Sequence, residues 1–391
     1  MNDKPKITKV EVRRFSYQIK DLAPHPIVRI ARYEPGAVFN GEATILSIFT
    51  DIGVTGEFMS TRAAEFTAFP GIMPYLIGRN ALEKDVIYQD VKHITQQTMP
   101  TAISPLDVAL WDLAGKFYDS PLHELLGGAH RTELPTYAST FLADRQKGGL
   151  DSPEAFAEFA QQCLELGYRG YKTHPWERKE AKIEEWIATN DAIAKQVGGK
   201  MDLMVDAHCA LETFGEALKL GRSCDENNFF WWEDPYMHAE SAFPHRKLRQ
   251  LVKTPLLQGE HVRGLESHID LIVGEGTDFV RGDIYYDGGI TGVMKIAHAA
   301  EGFGLDIELH HAGPVERHMA SAIRNCNYYE MCLVHPKAPW LFPEPYKCDY
   351  RDGLNAIDKN GCVSVPQGPG IGIEYDWDYI NKHTTSVVAY E

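Results

Sequence analysis

The sequence predicts an α/β protein in which a smaller α+β domain precedes a barrel of the (β/α)8 type. Three observations predict it. Short apolar runs recur from about residue 134 onward, with helix-like stretches between most of them. Three of these runs close on a carboxylate: Leu203-Met204-Val205-Asp206, Phe229-Phe230-Trp231-Trp232-Glu233 and Pro255-Leu256-Leu257-Gln258-Gly259-Glu260, with both intervals between the acids equal to 27 residues. Before Gly127-Gly128 the order differs, with strand patterns first and helix patterns after them. Apolar runs of this length suit buried parallel strands. A spacing of roughly 25–35 residues accommodates a strand, a loop, a helix and a second loop.

Taken in order, residues 7–17 alternate as a half-buried strand does. Residues 43–50 and 54–59 flank Asp51-Ile52-Gly53 and read as a hairpin. Helical patterns at 62–75, 81–95 and 104–118 complete the α+β unit. Between the first strand and the hairpin, Asp21 to Gly41 is rich in Pro, His, Arg and Tyr and reads as a long loop, either functional or mobile. Strand-like runs then fall near 134–140, 169–174, 201–206, 228–233, 255–260, 279–283, 304–310 and 327–332. Ser152-Pro153 opens a helix with Phe156, Phe159, Cys163 and Leu164 on one face, and Gly167 ends it. Val293, Ile296, Ala297 and Ala300 form a similar face before Gly302. Eight such units fit a barrel better than a doubly wound sheet. Gly368-Pro369-Gly370-Ile371-Gly372-Ile373-Glu374 is again strand-like, and no barrel position remains for it. The expected divisions are an α+β domain over 1–130, a barrel over 131–365, and a segment over 366–391 that returns to the first domain.

Composition narrows the function. Of 391 residues, 44% are hydrophobic and 24% charged, as in an ordinary globular enzyme. A formal net charge of −16 argues against nucleic acid and anionic membranes as partners. A small anion remains compatible if a metal and a few lysines reverse the local potential. The seven cysteines include no CxxC pair and suit a reducing compartment. Without a signal-like apolar segment near Met1 or a run long enough to span a bilayer, a cytoplasmic location is the expectation.

On parallel strands of a barrel, Asp206, Glu233 and Glu260 would meet at the C-terminal mouth, where such folds carry their chemistry. Any one of them could merely cap the next helix, but three at matched positions point to a metal. Converging carboxylates suit a hard cation, and Mg²⁺ is the first choice. Lys172 and His174 lie two apart on one strand, so both side chains point the same way. Asp206-Ala207-His208 repeats that spacing on the next strand. Asp283 ends the sixth strand and His310 the seventh, which would allow a carboxylate–histidine pair. Glu330 is the corresponding acid on the eighth. His238, His245, His298 and His318 fall in helices or loops and read as structural. No nucleophile elbow, P-loop or Rossmann glycine run is present, so no nucleotide cofactor is expected.

Further stretches carry a resemblance: Ala109-Leu110-Trp111-Asp112-Leu113-Ala114-Gly115-Lys116, Leu125-Leu126-Gly127-Gly128, Trp232-Glu233-Asp234-Pro235, Gly259-Glu260, Gly288-Gly289-Ile290-Thr291 and the Gly-Pro-Gly-Ile-Gly ending. The chain resembles the enolase superfamily, and within it the mandelate racemase-like subgroup, over essentially its whole length. The resemblance implies a capping α+β domain over a modified TIM barrel, (β/α)7β, with Mg²⁺ on Asp206, Glu233 and Glu260. It also implies removal of the proton α to a substrate carboxylate through an enediolate; this superfamily is an established example of Lys or His bases working with Mg²⁺. Lys172, and Glu330 if protonated, would share the developing charge. The subgroup's racemases resemble Lys-x-Lys on the second strand, whereas this chain has Lys172-Thr173-His174. Asp206-Ala207-His208 is similar to the galactonate and mannonate dehydratases. The implied activity is therefore dehydration of an aldonate-type acid sugar to a 2-keto-3-deoxy acid, with His310 and His208 dividing the roles of base and acid. A racemase, epimerase or cycloisomerase using His174 and His310 is the alternative, and a catalytically silent binding protein the second. A small anionic substrate and a homo-oligomer are expected, with specificity from the Asp21–Gly41 loop and the Ser60–Arg62 turn.

Overall fold

In the computed structural model, which describes residues 4–26, 31–236 and 240–391, alternation of buried and exposed residues builds a first, antiparallel sheet. It contains β1 (Ile7–Pro24), β2 (Ala31–Thr50) and β3 (Thr55–Ser60), and the β2–β3 hairpin turns where Asp51-Ile52-Gly53 predicts. Four helices follow, α1 (Phe69–Leu76), α2 (Lys84–Thr95), α3 (Ile103–Tyr118) and α4 (Leu122–Leu125). Along α3, Leu106, Ala109, Leu110 and Leu113 are fully buried. Gly56 of β3 lets the two elements touch, since a Cβ there would overlap the Ala109 carbonyl.

The predicted loop from Asp21 to Gly41 is mostly strand. The register runs on through Ile19↔Phe39, Leu22↔Tyr33 and Pro24↔Ala31, with an irregularity at Asp21, whose φ is 60°. Residues 27–30 lie outside the described residues. Polar and proline residues hide the alternation in the sequence, but Leu22 and Ala31 pack with Phe141 and Leu341 of the barrel side. The hairpin therefore reaches the barrel, where Tyr33 lies 4.6 Å from the His335 ring and Arg32 3.4 Å from Glu180.

The second sheet alternates with helices: β4 (Glu133–Leu142), α5 (Pro153–Leu166), β5 (Gly170–His174), α6 (Ile183–Val197), β6 (Asp202–Asp206), α7 (Phe214–Glu226), β7 (Trp231–Glu233), α8 (Ala242–Arg249), β8 (Leu256–Gln258), α9 (Gly264–Val273), β9 (Phe279–Gly282), α10 (Gly289–Gly302), β10 (Asp306–Leu309), α11 (Pro314–Ala322) and β11 (Tyr329–Val334). Eight strands and seven intervening helices make a (β/α)7β barrel, with parallel neighbours in the order β10-β9-β8-β7-β6-β5-β4-β11. Its α5 starts and stops as the sequence predicts: Ser152 Oγ accepts from Ala155 N, and Gly167 takes φ 108°. The β10–β11 seam is closed by side chains. Glu308 accepts from Asn327 Nδ2 at 2.9 Å and Tyr328 N at 3.3 Å, and Arg281 donates to the Leu309 carbonyl at 3.2 Å.

The chain ends with β12 (Cys362–Ser364), α12 (Trp377–His383) and β13 (Thr384–Tyr390). The strand expected at Gly368–Glu374 is absent. Gly370 and Gly372 take φ of 68° and 67°, which extended backbone does not allow. Gly370 exchanges backbone bonds with Ser120 and Leu122, and Ile371 N donates to Asp112. The strand that joins the first sheet is β13, antiparallel to β1 in the order β13-β1-β2-β3.

Candidate active site

Period-two alternation along the strands places the site above an apolar layer. Tyr137, Met204, Trp231 and Leu257 fill the barrel interior. Two residues on from Met204 and Trp231, Asp206 and Glu233 face the mouth, and the register pairs them directly. Glu260 follows Gly259, whose φ of 139° turns the chain after β8. Donor oxygens of the three carboxylates lie within 4.8 Å of one another. Burial, with Asp206 and Glu260 alongside, pushes the Glu233 carboxyl up to about 7 despite Arg281 and Lys172. Burial would raise the other two as well, but Lys172 and His174 hold Asp206 well below the usual carboxylate range and His310 and His261 lower Glu260. Three converging oxygen donors, two of them kept anionic, are a fitting cradle for a hard divalent cation.

Two buried cations brace the trio from below. Lys172 Nζ lies 2.7 Å from Glu233, 2.8 Å from Glu330 and 3.5 Å from Asp206. Burial alone would lower this ammonium, but Glu233 and Glu330 hold it well above the usual lysine range. Arg281 Nε lies 2.8 Å from Glu233, and its Nη2 2.6 Å from Glu330. Glu330 could share developing charge only if protonated, and its surroundings oppose that. Burial would raise its carboxyl, but Arg281 and Lys172 keep it well below the usual range, so it is an anionic anchor for both cations. Arg281 itself went unnoticed in the sequence. Its signal is the alternation Phe279-Val280-Arg281-Gly282-Asp283, which puts a charge on the same inward face as Asp283.

Imidazoles flank the trio on both sides. Beside Glu260, His310 Nδ1 donates to Asp283 at 2.5 Å while Nε2 stands 3.6 Å from the Glu260 carboxylate. Burial would lower this imidazole, but Glu260 and Asp283 raise it to about 9. Beside Asp206, His174 Nδ1 donates to the Thr140 carbonyl at 2.7 Å, and its Nε2 lies 3.1 Å from Asp206 Oδ2. Both its nitrogens are thus engaged. His208, with ring centroid 5.0 Å from that of His174, has Nε2 3.3 Å from the Pro175 carbonyl, which leaves Nδ1 as its lone pair. Burial pushes His208 down to about 4, with Asp206 opposing.

From the first domain, Arg62 stacks over Tyr286 at 4.0 Å and Tyr285 at 4.9 Å, beside the strand end that carries Asp283. His311, also missed, lies 5.3 Å from the Tyr285 ring. Two histidines assigned structural places have them: His245 Nδ1 bonds the Ser241 carbonyl, and His318 pairs with His123 at 3.0 Å. His298 lies on α10, and His238 lies outside the described residues. No helix among the described residues is long and apolar enough to cross a membrane.

Comparison with known proteins places the chain in a family. The family description "Enolase C-terminal domain-like" matches residues 155–379, and "Mandelate racemase / muconate lactonizing enzyme, N-terminal domain" matches 22–127. The chain is an enzyme of the enolase superfamily and belongs to its mandelate racemase/muconate lactonizing enzyme family. A D-xylonate dehydratase from Haloferax volcanii is 26% identical over 87% of this chain and 84% of its own length. An N-succinyl-L-Arg/Lys racemase from Bacillus cereus is 27% identical over 78% of this chain and 77% of its own. A crystal structure of D-glucarate dehydratase from Agrobacterium tumefaciens complexed with magnesium superposes with a TM-score of 0.89 at 26% identity, over 98% of this chain and 100% of that one.

Proposed function

We propose that this enzyme is a magnesium-dependent hydro-lyase that removes water from an aldonate-type acid sugar to give a 2-keto-3-deoxy acid. Asp206, Glu233 and Glu260 would hold the cation, which when bound supplies positive charge against the dianion formed as the α proton leaves. Lys172 adds charge at the same place, anchored by Glu330. The observation that carries the reading is the pair of differently partnered imidazoles on opposite sides of the trio. His208 donates through Nε2 and keeps Nδ1 as a base for the C2 proton. His310, held by the buried Asp283 carboxylate, is the charged partner that delivers a proton to the departing C3 hydroxyl. The C2–H electron pair passes toward the carboxylate, the C3–O bond breaks with loss of water, and the resulting enol becomes the ketone. The magnesium complex of a dehydratase of the same fold and the xylonate dehydratase relative support both the cofactor and the substrate class.

A two-base racemase would need His174 in place of His208. Both nitrogens of His174 are already bonded, to Thr140 and Asp206, and this favours dehydration. The test is an acid-sugar panel with Mg²⁺, scored for 2-keto acid and for C2 exchange in D₂O. His208→Asn should abolish the 2-keto product while His174→Asn mainly weakens binding. Epimerised substrate from the wild type, lost in His174→Asn and kept in His208→Asn, would overturn dehydration.

A further inference from the structure

The three strand ends that carry the acidic trio also carry a second set of donors, which borders the trio where His261 Nε2 stands 3.9 Å from Glu260 Oε1. Asp234 follows Glu233, His261 follows Glu260, and Cys209 lies in the loop after Asp206. Their donor atoms, a thiol sulfur, a carboxylate oxygen and an imidazole nitrogen, also fall within 4.8 Å of one another. Asp234 is wholly buried, and among the described residues neither of its carboxylate oxygens has a hydrogen-bond partner. A buried carboxylate with two idle oxygens is costly unless something positive meets it. His261, two-fifths exposed, stands with Nε2 3.4 Å from Asp234 Oδ2. Tetrahedral coordination at ~2.0–2.1 Å would put nitrogen and oxygen donors about 3.3 Å apart, so these two are already at ligand spacing.

The scaffold is fixed as well. Ala207 N donates to the Glu233 carbonyl at 3.0 Å, Cys209 N to the Asp234 carbonyl at 2.7 Å, and Leu211 N to the Pro235 carbonyl at 3.1 Å. The loops after β6 and β7 therefore run side by side and hold the thiol over the carboxylate. Around them, Asp206, Glu233 and Glu260 add negative potential that favours a cation.

We infer that Cys209, Asp234 and His261 form a second cation site, selective for a thiophilic divalent ion of the zinc class and distinct from the all-oxygen trio. A sulfur, nitrogen and oxygen set suits zinc or cobalt, whereas three carboxylates suit magnesium. Binding releases the thiol proton to solvent and leaves a thiolate on the metal. Three protein donors leave the fourth position open toward the exposed side of His261. The ion would tie the loops after β6, β7 and β8 together and stabilise the folded enzyme by mass action.

The test titrates Co²⁺ into enzyme kept in excess Mg²⁺, so that the trio is already occupied. A thiolate-to-cobalt charge-transfer band in the near ultraviolet should appear, saturating at one equivalent, and Zn²⁺ should abolish it and raise Tm. Cys209→Ser should lose the band, and His261→Ala should weaken Co²⁺ binding by on the order of tenfold or more. Asp206→Asn, which strikes the trio, should leave the band in place, so failure of the magnesium assignment and failure of this one are distinguishable. No band in the wild type, a band unchanged in His261→Ala, or one that appears only as Mg²⁺ is displaced would each overturn the site.

Discussion

The foot and the mouth of the barrel show how little cavity size says about chemistry. At the foot, a cleft of about 1360 Å³ runs between Arg169, Lys195, Asp202, Asn228 and Tyr328. The cavity between the mouth and the first domain, lined by Tyr285, His311, Trp340 and Phe342, is about 50 Å³. Yet polar groups at the foot are matched locally: Tyr328 Oη donates to Asp202 at 2.5 Å, Asn227 to Asp191 at 2.7 Å, and Arg169 to the Asn360 carbonyl at 2.8 Å. At the mouth, like charges are crowded out of water and shift one another's protonation. Convergent and desolvated charged groups point to the proposed reaction centre better than volume does.

The sharpest way to break this contrast is to strike the trio. If the trio holds the cation as proposed, Asp206→Asn or Glu233→Gln removes one ligand charge, the first leaving Lys172 underpaired and the second both Lys172 and Arg281. Several kcal/mol of lost charge stabilisation corresponds to on the order of 10³-fold or more in turnover. Chelation of the wild type should have the same effect and Mg²⁺ should reverse it; full activity in chelated enzyme would put the chemistry elsewhere. Next in size is the dyad. His310→Asn should cost on the order of 10²–10⁴-fold in kcat with the fold intact. Asp283→Asn, which acts through the orientation and charge of that ring, should cost on the order of 10–10²-fold. Wild-type rates in both, measured beside unchanged circular dichroism, would dissolve the pair.

Much of the mouth was legible because strands impose a period. Lys172 and His174 announce a common face by being two apart on β5, and the 27-residue spacing of the acids is that of a repeated βα unit. His208 is placed differently: β6 ends at Asp206, and a turn with His208 at φ 42° brings the imidazole back beside it. What escaped were features set by distant partners. Arg281 looks out of place within an apolar strand until Glu330, 49 positions away, neutralises it. The charge state of Glu330 follows from that same contact, so it too could not be read locally. The long β1–β2 hairpin was hidden because its inward residues meet Phe141 and Leu341 rather than a neighbour in sequence. The last strand, β13, presents Val387 and Val388 to solvent, so burial gave no pattern to follow there.

A smaller effect separates the two ends by pH. Glu316, on α11 beside the mouth cavity, is pushed up to about 8, by burial first and then by Asp283 and Asp352. Its folded pKa lies above the unfolded value near 4.5. The neutral carboxyl's contribution is therefore complete below pH 4.5 and is lost as pH rises through about 8. Glu316→Gln should flatten this decline, by a few kcal/mol at most between pH 5 and pH 9 in denaturant titrations. An identical pH slope in wild type and variant would remove Glu316 as its source.

The smallest expected effect is at the foot, and it bears most directly on the comparison. Asp191 and Lys195 are exposed, and the plug of Tyr137, Met204, Trp231 and Leu257 separates them from the acidic trio. Asp191→Asn and Lys195→Ala should change stability by no more than about 0.5 kcal/mol and leave kcat and KM within about twofold. Tyr328→Phe removes a real hydrogen bond to Asp202 and should cost about 1 kcal/mol of stability, again without touching kcat. The two readouts must be taken together, since a foot that matters only for folding moves the first and spares the second. A tenfold fall in kcat for Lys195→Ala with an unchanged unfolding curve would mean that the larger cleft takes part in turnover, and the contrast between the two ends would fail.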